Sequence, residues 1–393
     1  MDSATAIAPR RVEPGRLLTL IDAIAGRRLL IVGDLIADEF IYGEIARVSR
    51  EAPVLILNYD STEVVPGGAG NAANNVAALG GAARIIGLTG RDETGRRLLA
   101  TLKRRRVDVK DVIRPTGYTT PTKTRILAGG IHSAKQQVVR IDRASGVRVD
   151  DKLRHAFAAH VLRAARNADA LLVSDYGCHL VTPALVADVR KVFRLKAEAT
   201  RARSQASGAR RGGRGSLIDS RGFRLQAEVP VVVDTRYDLM RYHGMTACTP
   251  NESEVEHALG IRIGDDARAL ERAGRTLLGK TRARAVLITR GSRGMALFQS
   301  DRPTVHIPIV GSDQIADVTG AGDTVIATLT LALSAGATFE EAAHLANHAG
   351  GLVVMKRGTA TVSASELRYE ISGGAVGRAA DRSRLRQGYG EPG

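Results

Sequence analysis

The chain has 393 residues, 44% of them hydrophobic, and 57 Lys and Arg against 41 Asp and Glu, so a large core is affordable and the +16 balance points to anionic partners. Cys178 and Cys248 are too few for a disulfide framework and lack metal-ligand spacing, which fits a reducing cytoplasm. No Trp and only 4% aromatic residues leave few platforms for stacked bases, and no apolar run approaches the roughly 20 residues a bilayer needs, so neither nucleic acid nor membrane is an expected partner.

The first 15 residues carry basic side chains without an apolar core, so no signal peptide is expected. Leu29-Leu30-Ile31-Val32-Gly33-Asp34 reads as a buried strand ending in a turn, 71–79 as a helix, and Arg84-Ile85-Ile86-Gly87-Leu88 as the next strand. Residues 41–60 and 122–142 alternate apolar and polar side chains with several charges. They suit antiparallel strands exposed on one face, a small sheet projecting from the body. Short apolar runs recur at 170–175, 231–234 and 285–289, each closing in a polar residue and separated by helical stretches. Central strands of a parallel sheet buried on both faces read this way, with ligands at their C-terminal ends.

Between Lys191 and Glu228 stand ten Lys or Arg and three Asp or Glu, seven of the sixteen net charges. Within this stretch, residues 200–222 are rich in Arg, Gly and Ser, flanked by the near-repeat Phe193-Arg194-Leu195 and Phe223-Arg224-Leu225. Such a composition buries too little apolar surface to offset ordering entropy, so a flexible surface insertion is expected rather than a nucleic-acid arm. The tail 374–393 is also expected to be loose.

Asp317-Val318-Thr319-Gly320-Ala321-Gly322-Asp323-Thr324 precedes an apolar helix at 325–335. Two glycines at a helix start leave backbone N–H groups facing an anion, and Asp323 stands beside them. An N–H cradle with an adjacent carboxylate has the parts of phosphoryl transfer. The blander reading, in which the glycines shape a turn and Asp323 caps the helix, fits these residues equally well.

The eight residues also resemble the C-terminal signature of the PfkB carbohydrate kinases, and three further motifs follow the family in order. Gly67-Gly68-Ala69-Gly70-Asn71 is similar to its sugar-binding glycines, Gly87-Leu88-Thr89-Gly90-Arg91-Asp92-Glu93-Thr94-Gly95 to its G-x-x-G-x-D-x-x-G segment, and Asn251-Glu252-Ser253-Glu254 to its N-x-x-E motif. Within the family, Val48-Ser49-Arg50-Glu51-Ala52-Pro53-Val54, Gln136-Gln137-Val138-Val139-Arg140-Ile141-Asp142, Ser174-Asp175-Tyr176 and Gly358-Thr359-Ala360-Thr361-Val362-Ser363 resemble the heptose 7-phosphate kinases. Arg50, Gly70 and Gly177-Cys178-His179 depart from that subgroup. The resemblance implies one ribokinase-like domain over 1–373, a doubly wound, mainly parallel sheet flanked by helices with a small β lid, and a homodimer formed through the lid. The kinase would be of the stand-alone kind, since no nucleotidyltransferase half follows in the sequence.

The resemblance also implies roles. Asp323 is the general base, with Gly320, Ala321 and Gly322 offering N–H groups to the γ-phosphoryl of ATP. Asn251 and Glu254 organise Mg²⁺ and its waters, while Asp317 and Thr319 resemble positions that hold a monovalent cation, so K⁺ stimulation is expected. Thr289, Arg290, Gly291 and Gly294 border the nucleotide, and Asn347 lies near the adenine. Asp34, Asp38, Gly67, Gly68 and Asn71 suit a polyol, because carboxylates and amides bridge neighbouring hydroxyls. Lys123, Arg125 and Arg140, on the projecting sheet, are the candidates for a sugar phosphate.

A rival enzyme class remains. Gly68-Ala69-Gly70-Asn71-Ala72-Ala73 satisfies G-x-G-x-x-A and Asp92 stands where a ribose-binding acid would, as in an NAD-dependent oxidoreductase. Against it, Pro66 is badly placed for the central strand that must precede such a turn.

Overall fold

The computed structural model describes residues 12–129, 135–146, 149–206, 228–310, 318–356 and 359–373. The tail 374–393, Asp317, Gly358 and most of the Arg-rich stretch lie outside the described residues.

Eight strands form the main sheet: β1 (Arg28–Gly33), β4 (Ala82–Ile86), β7 (Ala170–Asp175), β8 (Val231–Thr235), β9 (Ala247–Cys248), β10 (Ala285–Thr289), β11 (Met295–Gln299) and β12 (Val305–Ile307). Their spatial order is β12-β11-β10-β9-β8-β7-β1-β4, parallel from β10 to β4 with β11 and β12 antiparallel. The pleat divides each apolar run between two cores. Leu29 and Ile31 enter one with Val232 and Leu287, while Leu30 and Val32 enter the other with Val231, Val233, Val286 and Ile288.

Helices cover both faces, as two-sided burial requires. On one side lie α1 (Pro14–Ile24), α2 (Ala69–Ala78), α8 (Ala321–Ser334), α9 (Phe339–Val354) and α10 (Ala364–Ile371); on the other lie α4 (Asp151–Ala165), α5 (Pro183–Ala206), α6 (Glu252–Leu259) and α7 (Ala267–Thr281). Helix α3 (Glu93–Arg104) contributes Leu98 and Leu102 to the first core. The start of the expected insertion is helical: α5 continues to Ala206, through good helix formers such as Ala197, Glu198 and Ala199.

A second sheet, β3 (Leu55–Gly68), β2 (Leu35–Val48), β5 (Thr122–Gly129) and β6 (Gln136–Arg143) in that order, projects from the first. It differs from the sequence reading in two ways. Strands β2 and β3 are rooted deeper, at Leu35 and Gly68, because their inner ends are buried and do not alternate. β2 and β5 pair in parallel, not antiparallel, because both strands leave the body in the same direction.

Strand β1 has β4 on one side and β7 on the other, and the chain visits them in that order. Strand order therefore reverses at β1/β7, where the C-terminal strand ends open a crevice.

Candidate active site

The crevice is a cleft of about 350 Å³ between the strand ends, the start of α8 and the projecting sheet. Gly320 precedes α8 at φ 80°, a left-handed conformation that a glycine adopts without strain. A Cβ there would come to 2.5 Å from the Asn71 amide nitrogen, so glycine is needed for space as well. Ala321 donates its N–H to the Val318 carbonyl at 3.3 Å, whereas the N–H groups of Gly322 and Asp323 have no backbone partner among the described residues. Of the N–H groups expected to form a cradle, that of Ala321 is already bonded within the turn.

Asp323 is buried, yet its side chain lines the cleft. One carboxylate oxygen accepts from the Asn71 amide at 2.8 Å and the other from the Tyr176 hydroxyl at 3.2 Å. Burial pushes its pKa up to about 7; the two hydrogen bonds restrain the rise. A carboxyl poised there is matched to general-base work near neutral pH.

Asn71 was expected to meet a sugar. Its side chain is instead fully enclosed, with the carbonyl oxygen accepting from Asn75 at 3.2 Å and the amide committed to Asp323. Asp34 is buried and bonded through one of its carboxylate oxygens. Its carboxylate accepts the Tyr176 and Cys178 N–H groups at 2.8 and 3.1 Å, clamping the β7 end to the β1 end, while burial raises its pKa to about 6. Gly68 lines the cleft at φ 54°, and a Cβ there would meet the Asp34 carbonyl at 2.7 Å. Gly67 packs against the Asp38 carboxylate.

The other residues expected for substrate do share the cleft. Asp38, Lys123, Arg125 and Arg140 all line it. Arg125 pairs with Asp38 at 2.6 Å, both largely buried, and Arg140 pairs with Asp142 on the same strand. Lys123 sits 4.9 Å from the Tyr176 ring centroid, its pKa lowered by burial and then by the neighbouring Arg236.

On the opposite wall, Asn251 and Glu254 form a capping box at the start of α6, each side chain bonded to the other's backbone N–H. Both residues also line the cleft. Burial raises the pKa of Glu254; burial, followed by the charges of Glu254 and Asp323, raises that of Asp234 well above the carboxylate range. Like charges pressed together beside a cleft fit a divalent cation. Among the described residues no group of three His, Cys, Asp or Glu side chains forms a metal cage.

Thr289 lines the cleft, and its N–H bonds the Pro250 carbonyl at 3.0 Å, tying the β10 end to the Asn251 segment. Gly291 and Gly294 flank the turn after it, at φ 56° and 76°. Arg290 is turned to Glu252 at 3.6 Å. Asn347 does not join the cleft: it is buried in α9, donating to the Pro308 carbonyl at 2.7 Å. Thr319 lines the cleft.

Eight further lining residues escaped the sequence reading as site residues: Tyr176, Asp234, Arg236, Thr249, Asp175, Ile36, Val318 and Thr359. The first four stand in or just after the ends of β7, β8 and β9, where the strand-end rule for parallel sheets would have flagged them.

The oxidoreductase reading fails on both of its parts. Gly68 to Ala73 follows β3, an edge strand of the projecting sheet that tolerates Pro66, not a central strand of the main sheet. Asp92 is consumed locally, capping α3 through the Gly95 N–H at 2.8 Å and accepting from the Thr120 N–H and hydroxyl at 2.7 Å each.

A cleft at the switch point, with a buried carboxylate at a glycine-led helix start, defines a carbohydrate kinase of ribokinase-like fold. The pfkB family carbohydrate kinase pattern matches residues 28–205 and 219–366, and the chain belongs to that family. It is 39% identical over 339 residues to the bifunctional protein HldE of Geobacter metallireducens, covering 86% of this chain and 61% of the relative. With the HldE protein of Caulobacter vibrioides it shares 38% identity over 370 residues, 93% of this chain and 65% of the relative. The chain thus spans somewhat under two thirds of the length of these relatives. Among solved structures, Arabidopsis thaliana ribokinase with ribose and ATP superposes with a TM-score of 0.63 at 19% identity, covering 88% of this chain and 99% of the other. Phosphofructokinase-2 from Escherichia coli, in complex with substrates and products, gives 0.65 at 16% identity, covering 89% and 99%. Both share the fold.

Proposed function

We propose that the chain transfers the γ-phosphoryl group of ATP to the anomeric hydroxyl of D-glycero-β-D-manno-heptose 7-phosphate, giving the 1,7-bisphosphate. The carrying observation is that one cleft holds the Asp323 carboxylate at its helix-start wall and Lys123, Arg125 and Arg140 on the projecting sheet. A substrate with a reactive hydroxyl at one end and a phosphate at the other spans that separation of charge. The heptose assignment rests on the local strings that resemble the heptose 7-phosphate kinases, and the HldE relatives support it.

Asp323 takes the hydroxyl proton as the sugar oxygen attacks. Asn71 and Tyr176 fix its two oxygens, so the base is already oriented, and the Gly322 and Asp323 N–H groups face the charge on the transferring phosphoryl. Thr289 and the Gly291–Gly294 turn border the nucleotide. Mg²⁺, held through water by Asn251 and Glu254, would neutralise and orient the nucleotide phosphates. The Thr319 wall is the place for a monovalent cation; equal rates in K⁺, Na⁺ and a bulky organic cation would remove it. Exposed Val48, Val54, Tyr59, Val138 and Ile141 on the projecting sheet support pairing of two copies through it, checked by light scattering.

The test is ADP release with Mg-ATP across D-glycero-D-manno-heptose 7-phosphate, sedoheptulose 7-phosphate, fructose 6-phosphate, ribose and fructose. Turnover of the aldoheptose phosphate, with a much raised KM for it but not for ATP in Arg140→Ala, supports the reading. Turnover of another sugar alone discards the heptose and keeps the kinase.

A further inference from the structure

Arg236 follows β8 directly and lines the cleft together with Asp323, Gly320 and Gly322. Of the other cations around it, Arg125 is paired with Asp38, Arg140 with Asp142 and Arg290 with Glu252, while Lys123 shares its aromatic platform. Arg236 forms no ion pair within 4 Å among the described residues, although its charge acts on the neighbouring Asp234 and Glu254 carboxyls. Its guanidinium lies instead 5.0 Å from the centroid of the Tyr176 ring, an attraction that holds a cation without cancelling its charge. The same ring receives Lys123 at 4.9 Å, and the same residue's hydroxyl donates to Asp323 at 3.2 Å. One side chain therefore sets the position of the general base and of two cations.

We infer that Arg236 is a catalytic residue that meets the equatorial oxygens of the phosphoryl group in transfer, with Tyr176 as the platform that aims it. The inference rests on the reading that transfer occurs beside Asp323. As the sugar hydroxyl oxygen bonds to the γ-phosphorus, its proton passes to Asp323. The bond from that phosphorus to the β,γ-bridging oxygen breaks, and the electron pair leaves with ADP. Charge on the three non-bridging oxygens needs a cation that is fixed beforehand and not already neutralised. Arg236 and Lys123 both meet these conditions on the Tyr176 ring, and the planar fork of donors on Arg236 is the one that suits phosphoryl oxygens. Lys123, reached from the projecting sheet, is left for the distal phosphate of the substrate.

The experiment is steady-state kinetics of Arg236→Ala, Arg236→Gln, Arg236→Lys, Tyr176→Phe and Tyr176→Leu, with Asp323→Ala alongside, using whichever sugar of the panel releases ADP. Arg236→Ala and Arg236→Gln should lose on the order of 100- to 1,000-fold in kcat, with KM for either substrate changing less than about threefold. Added guanidinium should restore part of the Arg236→Ala rate, and Arg236→Lys should be intermediate. Tyr176→Phe keeps the ring and should retain more activity than Tyr176→Leu. The inference is overturned if kcat survives in Arg236→Gln, or if only the sugar-phosphate KM rises, which would place Arg236 on the substrate's own phosphate. Turnover persisting in Asp323→Ala would instead overturn the underlying reading of the site. Loss in Asp323→Ala with full activity in the Arg236 variants sinks this inference alone. Should Arg236→Ala fail to fold, Arg236→Gln and Arg236→Lys decide it.

Discussion

Asn71, in the first turn of α2, donates its side-chain amide to Asp323, in the first turn of α8, at 2.8 Å across 252 residues of sequence. Both groups are buried, and the contact is braced: Asn75 donates to Asn71 and accepts from the Thr324 hydroxyl at 3.0 Å. Two helix starts that approach the cleft from different parts of the chain are thus locked in register by a polar network with every member named.

Removing the Asn71 amide should raise the pKa of Asp323 further, because one of the two bonds restraining it disappears. For Asn71→Ala the acid limb of the kcat/KM profile should move to higher pH, and kcat should drop roughly 10- to 100-fold with the KM for ATP unchanged. An unmoved acid limb would separate Asn71 from the base.

Asp323 also carries a stability signature. Its folded-state pKa of about 7 lies above the ordinary carboxylate value, so the folded protein holds a proton that the unfolded chain has released. Its favourable contribution is complete below the unfolded pKa and is lost as pH rises through the folded one. Asp323→Asn should therefore be inactive yet more stable at pH 8, by on the order of 1–3 kcal/mol, with the advantage fading towards pH 5. Thermal melts of both proteins across that range check the sign.

The Arg125–Asp38 pair makes a different prediction. Both side chains are largely buried at 2.6 Å, so Arg125→Ala strands a carboxylate. A loss of about 2–4 kcal/mol is expected, with part of it regained in the double variant Arg125→Ala/Asp38→Ala. Chemical denaturation of wild type, both single variants and the double variant measures this; strictly additive losses would mean the two groups do not interact.

Gly320→Ala tests the α8 entry. The substitution places a Cβ at positive φ and against the Asn71 amide. It should cost about 1–2 kcal/mol in stability. Its pH profile should resemble that of Asn71→Ala, since the same hydrogen bond is pushed aside.

The main sheet was legible because two-sided burial writes itself as short apolar runs, and the runs at 170–175, 231–234 and 285–289 became β7, β8 and β10. The chemistry of 317–324 was legible because glycine spacing at a helix start is local. What escaped was long-range. Nothing near Asn71 in sequence says that its amide faces Asp323, and nothing near Asp34 says that one of its carboxylate oxygens accepts the Tyr176 and Cys178 N–H groups. Arg236 belongs to no motif read from the sequence, and Tyr176 entered only within the string Ser174-Asp175-Tyr176; both reach the cleft because neighbouring parallel strands end at the same level. The parallel β2–β5 pairing was hidden because alternation defines a strand's faces but not its direction.

The most direct measurement is phosphorus NMR of the product formed from Mg-ATP and D-glycero-β-D-manno-heptose 7-phosphate by the wild-type protein and by Asp323→Ala. Transfer at the anomeric oxygen predicts a new phosphate resonance coupled to the anomeric proton, growing in step with ADP and absent in the variant. ADP formed with inorganic phosphate instead, or the same product in both proteins, would contradict Asp323-dependent phosphorylation of the heptose.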